Sequence, residues 1–129
     1  MPFTPAAIRV LLVEPHADSR ELYVLGLRAA GFQVFAAEDG ASATVAFAAH
    51  APAIVVSEMR LPDVSAAELL TRFSDAGVPV IALTTDPLSQ RHARSARLSA
   101  VLLKPCFPDE VAASIRMALG VAPEGGGAQ

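Results

Sequence analysis

Four short apolar runs constrain this chain more than any other feature: IRVLLV (8 to 13), AIVVS (53 to 57), VPVIALT (78 to 84) and AVLLK (100 to 104). Each is close to continuous rather than alternating, so the strand it forms carries apolar side chains on both faces and needs cover on both. A weaker fifth run, FQVFAA, lies at 32 to 37. The segments between them space their apolar residues as helices do: Leu22, Leu25 and Ala29 in the first, Val45, Ala46 and Ala49 in the second, Leu69, Leu70 and Phe73 in the third, Val111, Ile115 and Leu119 in the last. Strand and helix alternate five times, and such units join parallel strands through right-handed crossovers. The expected fold is α/β, a (βα)5 doubly wound five-stranded parallel sheet with helices on both sides.

The helix punctuation agrees. Asp18 is placed to cap the first helix, with Glu21 three residues on and Gly31 to close it, and SAAE (65 to 68) reads as a capping box that opens the third. Pro108 stands where a first helical residue would, followed by Asp109 and Glu110 in the favourable first turn. The fourth helix is expected within 87 to 98, where RHARSAR makes it polar, basic and exposed. A chain of 129 residues suits one core. It divides into an N-terminal extension (1 to 7), one domain (8 to 120) and a tail (121 to 129) whose APEGGGAQ is a flexible end or the start of a linker.

Charge and composition exclude several functions. A net charge of -3 and a pI near 5.5 give no basic field for a phosphate backbone, so no direct nucleic-acid contact is expected. Cys106 is the single cysteine, which rules out an internal disulfide, and MPFTPAAIRV does not read as a secretion signal. No apolar stretch approaches the roughly 20 residues that span a bilayer. The protein is expected in the cytoplasm, away from membranes.

Parallel sheets of this kind carry their sites at the carboxyl ends of the strands. The residues there are Glu14, Pro15 and His16 after the first strand, Glu58 after the third, Thr84 and Thr85 after the fourth, and Lys104 after the fifth. Two carboxylates, a hydroxyl and an ammonium at one sheet edge make a small polar site, with a trans Lys104–Pro105 step expected to aim the lysine inward.

With these residues in place, the chain resembles the receiver domain of bacterial response regulators. The likeness runs through VLLVEPHADSRELYVLGLRAAGFQV, EDGASA, VVSEMRLPDVSAAELL, VPVIALTT and LLKPC, about residues 8 to 120. It implies the flavodoxin-like strand order 2-1-3-4-5 with five helices. It also implies roles. In such domains an acidic pair after the first strand and an aspartate after the third hold Mg²⁺, and that aspartate accepts a phosphoryl group from a histidine kinase. A threonine or serine after the fourth strand and a lysine after the fifth bind the phosphoryl oxygens. Thr84 and Lys104 match. The acidic pair, however, is Glu14-Pro15 and the acceptor position holds Glu58. Ala66 replaces the glycine usual eight residues past the acceptor, and Val101 the aromatic switch usual three before the lysine.

These departures have chemical consequences. Mg²⁺ takes near-ideal octahedral oxygen geometry, and Pro15 offers neither a carboxylate nor an N–H. Without the metal, charge on a transferring phosphoryl group loses its main partner. Glutamate's extra methylene displaces the carboxylate by roughly 1 Å, a shift that costs on the order of 10²-fold in rate. The expectation is therefore a non-enzymatic atypical receiver with no cofactor and weak or absent Mg²⁺ binding, in which Glu58 pairs with Lys104 and supplies a fixed charge. It would act through a protein partner, whether a histidine kinase, an output domain, another signalling protein or a second copy. The expected face is that of the fourth helix, fifth strand and fifth helix, with the Arg91, His92, Arg94 and Arg97 group as a solvated surface or a docking face. Two alternatives remain: a working phosphoacceptor in which Asp18, Asp63 or Asp86 substitutes, and a small-ligand or phosphate binder. For the single residues, Glu14 is read as an exposed strand-end charge in preference to a weak divalent site with Glu58. Thr85 is read as a loop cap, His16, His50 and His92 as surface residues, and Cys106 as a packing residue.

Overall fold

The computed structural model describes residues 7 to 87 and 97 to 122. Within them the order is β1 (Arg9–Val13), α1 (Ala17–Ala29), β2 (Gln33–Ala37), α2 (Gly40–His50), β3 (Ile54–Glu58), α3 (Ala66–Asp75), β4 (Val80–Thr84), β5 (Ala100–Leu103) and α4 (Pro108–Leu119). The five strands form one parallel sheet in the order β2-β1-β3-β4-β5, as expected. The fourth of the five expected helices, with Arg91, His92 and Arg94, falls on 88 to 96, outside the described residues, so the C-terminal helix is α4 here.

The central strands β3 and β4 are buried at every position, the burial that continuous apolar runs require. Successive residues point to opposite cores. Val10, Leu12, Ile54 and Ile81 meet Tyr23, Leu27, Val111 and Ile115 beneath α1 and α4. Leu11, Val13 and Val55 meet Leu69, Leu70 and Phe73 on the other face. Burying each such side chain contributes about 1.5–3 kcal/mol, so the two cores hold the sheet edge rigid beneath the site.

The expected core faces hold for α3 and α4 but not for α1 and α2. Leu22 and Leu25 are 53% and 63% exposed, Ala29 is exposed, and α1 buries Tyr23 and Leu27 instead. The helix carries two apolar stripes, and the inward one gives the Tyr23 hydroxyl a partner, the Cys106 carbonyl at 3.0 Å. In α2, Ala46 packs against the core as expected, but Val45 and Ala49 are exposed while Ala43 is buried, because an alanine-rich sequence marks no single face.

Helix α1 starts two residues before Asp18 would allow, with His16 at the N-cap and Asp18 in the first turn. Gly31, at φ 99°, ends it as expected. Ser65 Oγ accepts the Glu68 N–H at 3.3 Å at the head of α3. Pro108 opens α4, and Glu110 accepts the Phe107 N–H at 3.0 Å. A capping box the spacing did not suggest opens α2, where Asp39 accepts from Ser42. Hydrogen bonds from Ser42 hold the Asp39 carboxyl below its ordinary value. Among the described residues no helix is long and apolar enough to cross a membrane.

Candidate functional site

Glu58 is the last residue of β3 and pairs with Leu83, and Thr84 is the last of β4 and pairs with Leu103. The ladder continues one step beyond β5, where the Lys104 N–H donates to the Thr84 carbonyl at 2.8 Å. The Glu14 N–H likewise donates to the Ala37 carbonyl at 2.9 Å, one step beyond β1. These bonds keep Glu14, Glu58 and Lys104 at the sheet's carboxyl edge, where the expected site lies.

The three side chains form one buried cluster. Lys104 Nζ donates to Glu14 Oε1 and lies 2.9 Å from Glu58 Oε2. Glu14 has no exposure and Glu58 has 7%. This corrects the expectation that Glu14 is an exposed charge. Held in the sheet by the Ala37 bond, Glu14 turns inward, and a carboxylate so placed needs the ammonium and the His16 N–H, which donates to its Oε2 at 3.1 Å. Burial works against the charge of Lys104, but the bonds to Glu14 and Glu58 outweigh it and raise the lysine above its ordinary value. Glu58 Oε2 is buried, and the Lys104 ammonium at 2.9 Å is its ion-pair partner.

The peptide between Lys104 and Pro105 is cis, not trans. The two threonines also differ from expectation. It is Thr84 that caps the following loop, its buried Oγ1 accepting the Asp86 N–H at 3.1 Å, whereas the exposed Thr85 lines the cleft beside Lys104. Thr84 ends a central strand facing the core, so the nearest amide it can serve is two residues on. Val101 is half-buried on β5 beside Ala82, and Ala66 is buried at the start of α3.

A cleft of about 520 Å³ opens above the cluster. Pro15, His16 and Ser19 form one wall and Arg60, Leu61 and Pro62 the other, with Glu58, Lys104 and Thr85 at the base. Asp18, Asp63 and Asp86, the alternative acceptors, are not among the residues that line it. Asp63 instead accepts the Gly40 and Ala41 N–H groups at 2.8 and 3.0 Å, and so fastens the loop after β3 to the head of α2. Val64 packs where a Cβ on Gly40 would be, 2.3 Å from that position, so only glycine lets the loop approach.

One contributor escaped the sequence reading. Arg20 donates to the Glu14 and Pro15 carbonyls at 2.9 and 3.2 Å and lies 3.9 Å from Glu38. Its signal was position, a long cation one turn into the helix after an acidic strand end. Of the histidines, His16 is exposed at the cleft mouth. His50 stacks on Phe35 with centroids 3.8 Å apart rather than standing free on the surface, and His92 lies outside the described residues. Cys106 packs in the core beneath α1, and the exposed Arg97 lies 3.9 Å from Asp75.

Lys104 contacts both carboxylates, Pro15 adds no oxygen donor from its side chain, and among the described residues no three His, Cys, Asp or Glu side chains are grouped.

Comparison with known proteins agrees with the fold. Residues 10–116 match the model of the response regulator receiver domain. The chain is 38% identical over 79 residues to the virulence transcriptional regulatory protein PhoP of Salmonella typhimurium, covering 60% of this chain and 35% of PhoP. It is 28% identical over 114 residues to the DNA-binding response regulator MtrA of Mycolicibacterium paratuberculosis, covering 86% of this chain and 51% of MtrA. It therefore spans about half or less of these relatives. Among solved structures it is similar to the chemotaxis response regulator CheY4 of Vibrio cholerae, with a TM-score of 0.80, 20% identity, and 88% and 99% of the two chains covered. A CheY-like receiver domain protein from Methanospirillum hungatei gives a TM-score of 0.82 at 19% identity, over 89% and 95% of the chains.

Proposed function

The chain belongs to the response regulator receiver domain family of bacterial two-component signalling, and we propose that it is an atypical, cytoplasmic member that works by protein contacts without aspartyl phosphorylation. One observation carries this reading: a single ammonium, Lys104, holds Glu14 and Glu58 together at the position where a receiver holds its metal and its phosphoryl group. Glu58 supplies a standing negative charge against Lys104, smaller than the charge of about 1.5 to 2 on a phosphate. That charge biases the module toward one state only by what it contributes differently to each. The partner is a signalling protein, docked on the face of β5 and the C-terminal helix.

The test is phosphoryl transfer. Radiolabelled acetyl phosphate with Mg²⁺ is expected to leave the protein unlabelled, and calorimetry to show no saturable Mg²⁺ binding at micromolar concentration. A hydroxylamine-sensitive label on any carboxylate would overturn the reading in favour of a working phosphoacceptor.

A further inference from the structure

Helix α1 turns Leu22 and Leu25 to solvent, each more than half exposed, with Asp18 and Ala29 exposed on the same stripe. That spacing, 18, 22, 25 and 29, is the one by which a helix presents a seam to another helix. Phe107, 72% exposed at the N-cap of α4, widens the stripe. Pro108 packs on α1 at Gly26, and Phe107 and Leu22 line one cleft of about 380 Å³. Single apolar residues on a surface are ordinary, but a patch continuous over two elements marks an interaction surface. Its other flank carries charge of both signs. Glu21 and Arg28, exposed and seven residues apart, stand on one side of the seam, two turns from each other. Arg28 donates to the Val34 carbonyl at 3.1 Å, which holds its guanidinium on that flank.

We infer that this surface receives a second copy of the chain, the two α1 helices packing antiparallel about a two-fold axis. With the axis between Leu22 and Leu25, Leu22 meets the partner's Leu25 and Leu25 meets the partner's Leu22. The same register brings Glu21 against the partner's Arg28 and Arg28 against the partner's Glu21. A parallel pair sets like residues at the same height and brings neither charge to its opposite. The charges therefore select the occupant, because this helix run backwards supplies each of them with its complement. The axis also passes close to the middle of α1, so the two 13-residue helices overlap along nearly their whole length. Exposed ion pairs contribute little each, and the seam is small beside a permanent interface, so the dimer is a weak one that responds to concentration. It uses none of the phosphoryl-site residues and leaves Leu103 and Met117, exposed on β5 and α4, outside the seam.

The test is sedimentation equilibrium of the full chain from about 10 μM to about 1 mM. A reversible monomer–dimer equilibrium is expected, weakened about tenfold or more by Leu25→Glu and unchanged by Met117→Glu. Glu21→Arg and Arg28→Glu each place like charges across the axis twice, and each should weaken the dimer by about tenfold. Mixed in equal amounts, these two variants should associate as strongly as wild type, since each supplies the charge the other lacks. Thermal melts establish that the variants are folded. Arg28→Glu gives up the bond to Val34, and if it does not fold, Leu25→Glu and Glu21→Arg, which change exposed side chains alone, still decide the matter. A chain that stays monomeric throughout, leaving the stripe to a different protein, would overturn the inference. So would a dimer that survives Leu25→Glu or is broken by Met117→Glu, or a mixture of the two charge variants that associates no better than either alone.

Discussion

Replacing Lys104 by methionine keeps the length of the side chain and removes its charge. It would leave Glu14, with no exposure, and Glu58, with 7%, facing each other without a cation. Removing one partner from a buried ion group costs about 3–5 kcal/mol. Because the Lys104 side chain is 13% exposed and borders the cleft, water recovers part of that loss, and the low end, about 3 kcal/mol, is expected. For a domain of this size that lowers Tm by about 10 °C. Urea melts measure this, and the double variant Glu14→Gln/Lys104→Met should recover part of the loss. If Lys104→Met melts within about 0.5 kcal/mol of wild type, the cluster is not held by charge compensation and the reasoning fails.

In wild type the Lys104 pKa is raised, so its contribution is whole below the ordinary lysine value and is lost as pH climbs through the folded one, a fall that Lys104→Met should not show in alkaline melts. Gly26→Ala should cost about 1–3 kcal/mol by thermal melt, because a Cβ there would come within 2.2 Å of Pro108 Cβ where α1 crosses the C-terminal helix. Asp63→Ala should speed amide exchange at Gly40 and Ala41 and along residues 60 to 64, with the core strands unchanged, since its carboxylate hydrogen-bonds that loop to the head of α2.

The sheet was legible because continuous apolar runs have few alternatives: β1, β3 and β4 had to be covered on both faces, and they are. The orientation of α1 was not legible. Leu22 and Leu25 carry the same helical spacing as a core stripe, and the face that is buried is the one whose Tyr23 and Leu27 meet residues distant in sequence, among them Cys106, 83 residues from Tyr23. The strand-end position of Glu14 was legible but its burial was not, since that depends on a backbone bond to Ala37 and on Lys104 arriving from another strand. The exchange between Thr84 and Thr85 has the same origin. Adjacent residues at a strand end point to opposite sides, and the register that decides which one faces the core is set by β5.

The central claim, that Pro15 and Glu58 rather than any wider change keep this receiver from accepting phosphate, is tested most directly by repairing both. Pro15→Asp/Glu58→Asp and wild type would be incubated with acetyl phosphate and Mg²⁺ and weighed intact by mass spectrometry. The account predicts that the double variant gains the mass of one phosphoryl group, lost on treatment with hydroxylamine, while wild type gains none. Wild type gaining that mass would contradict it.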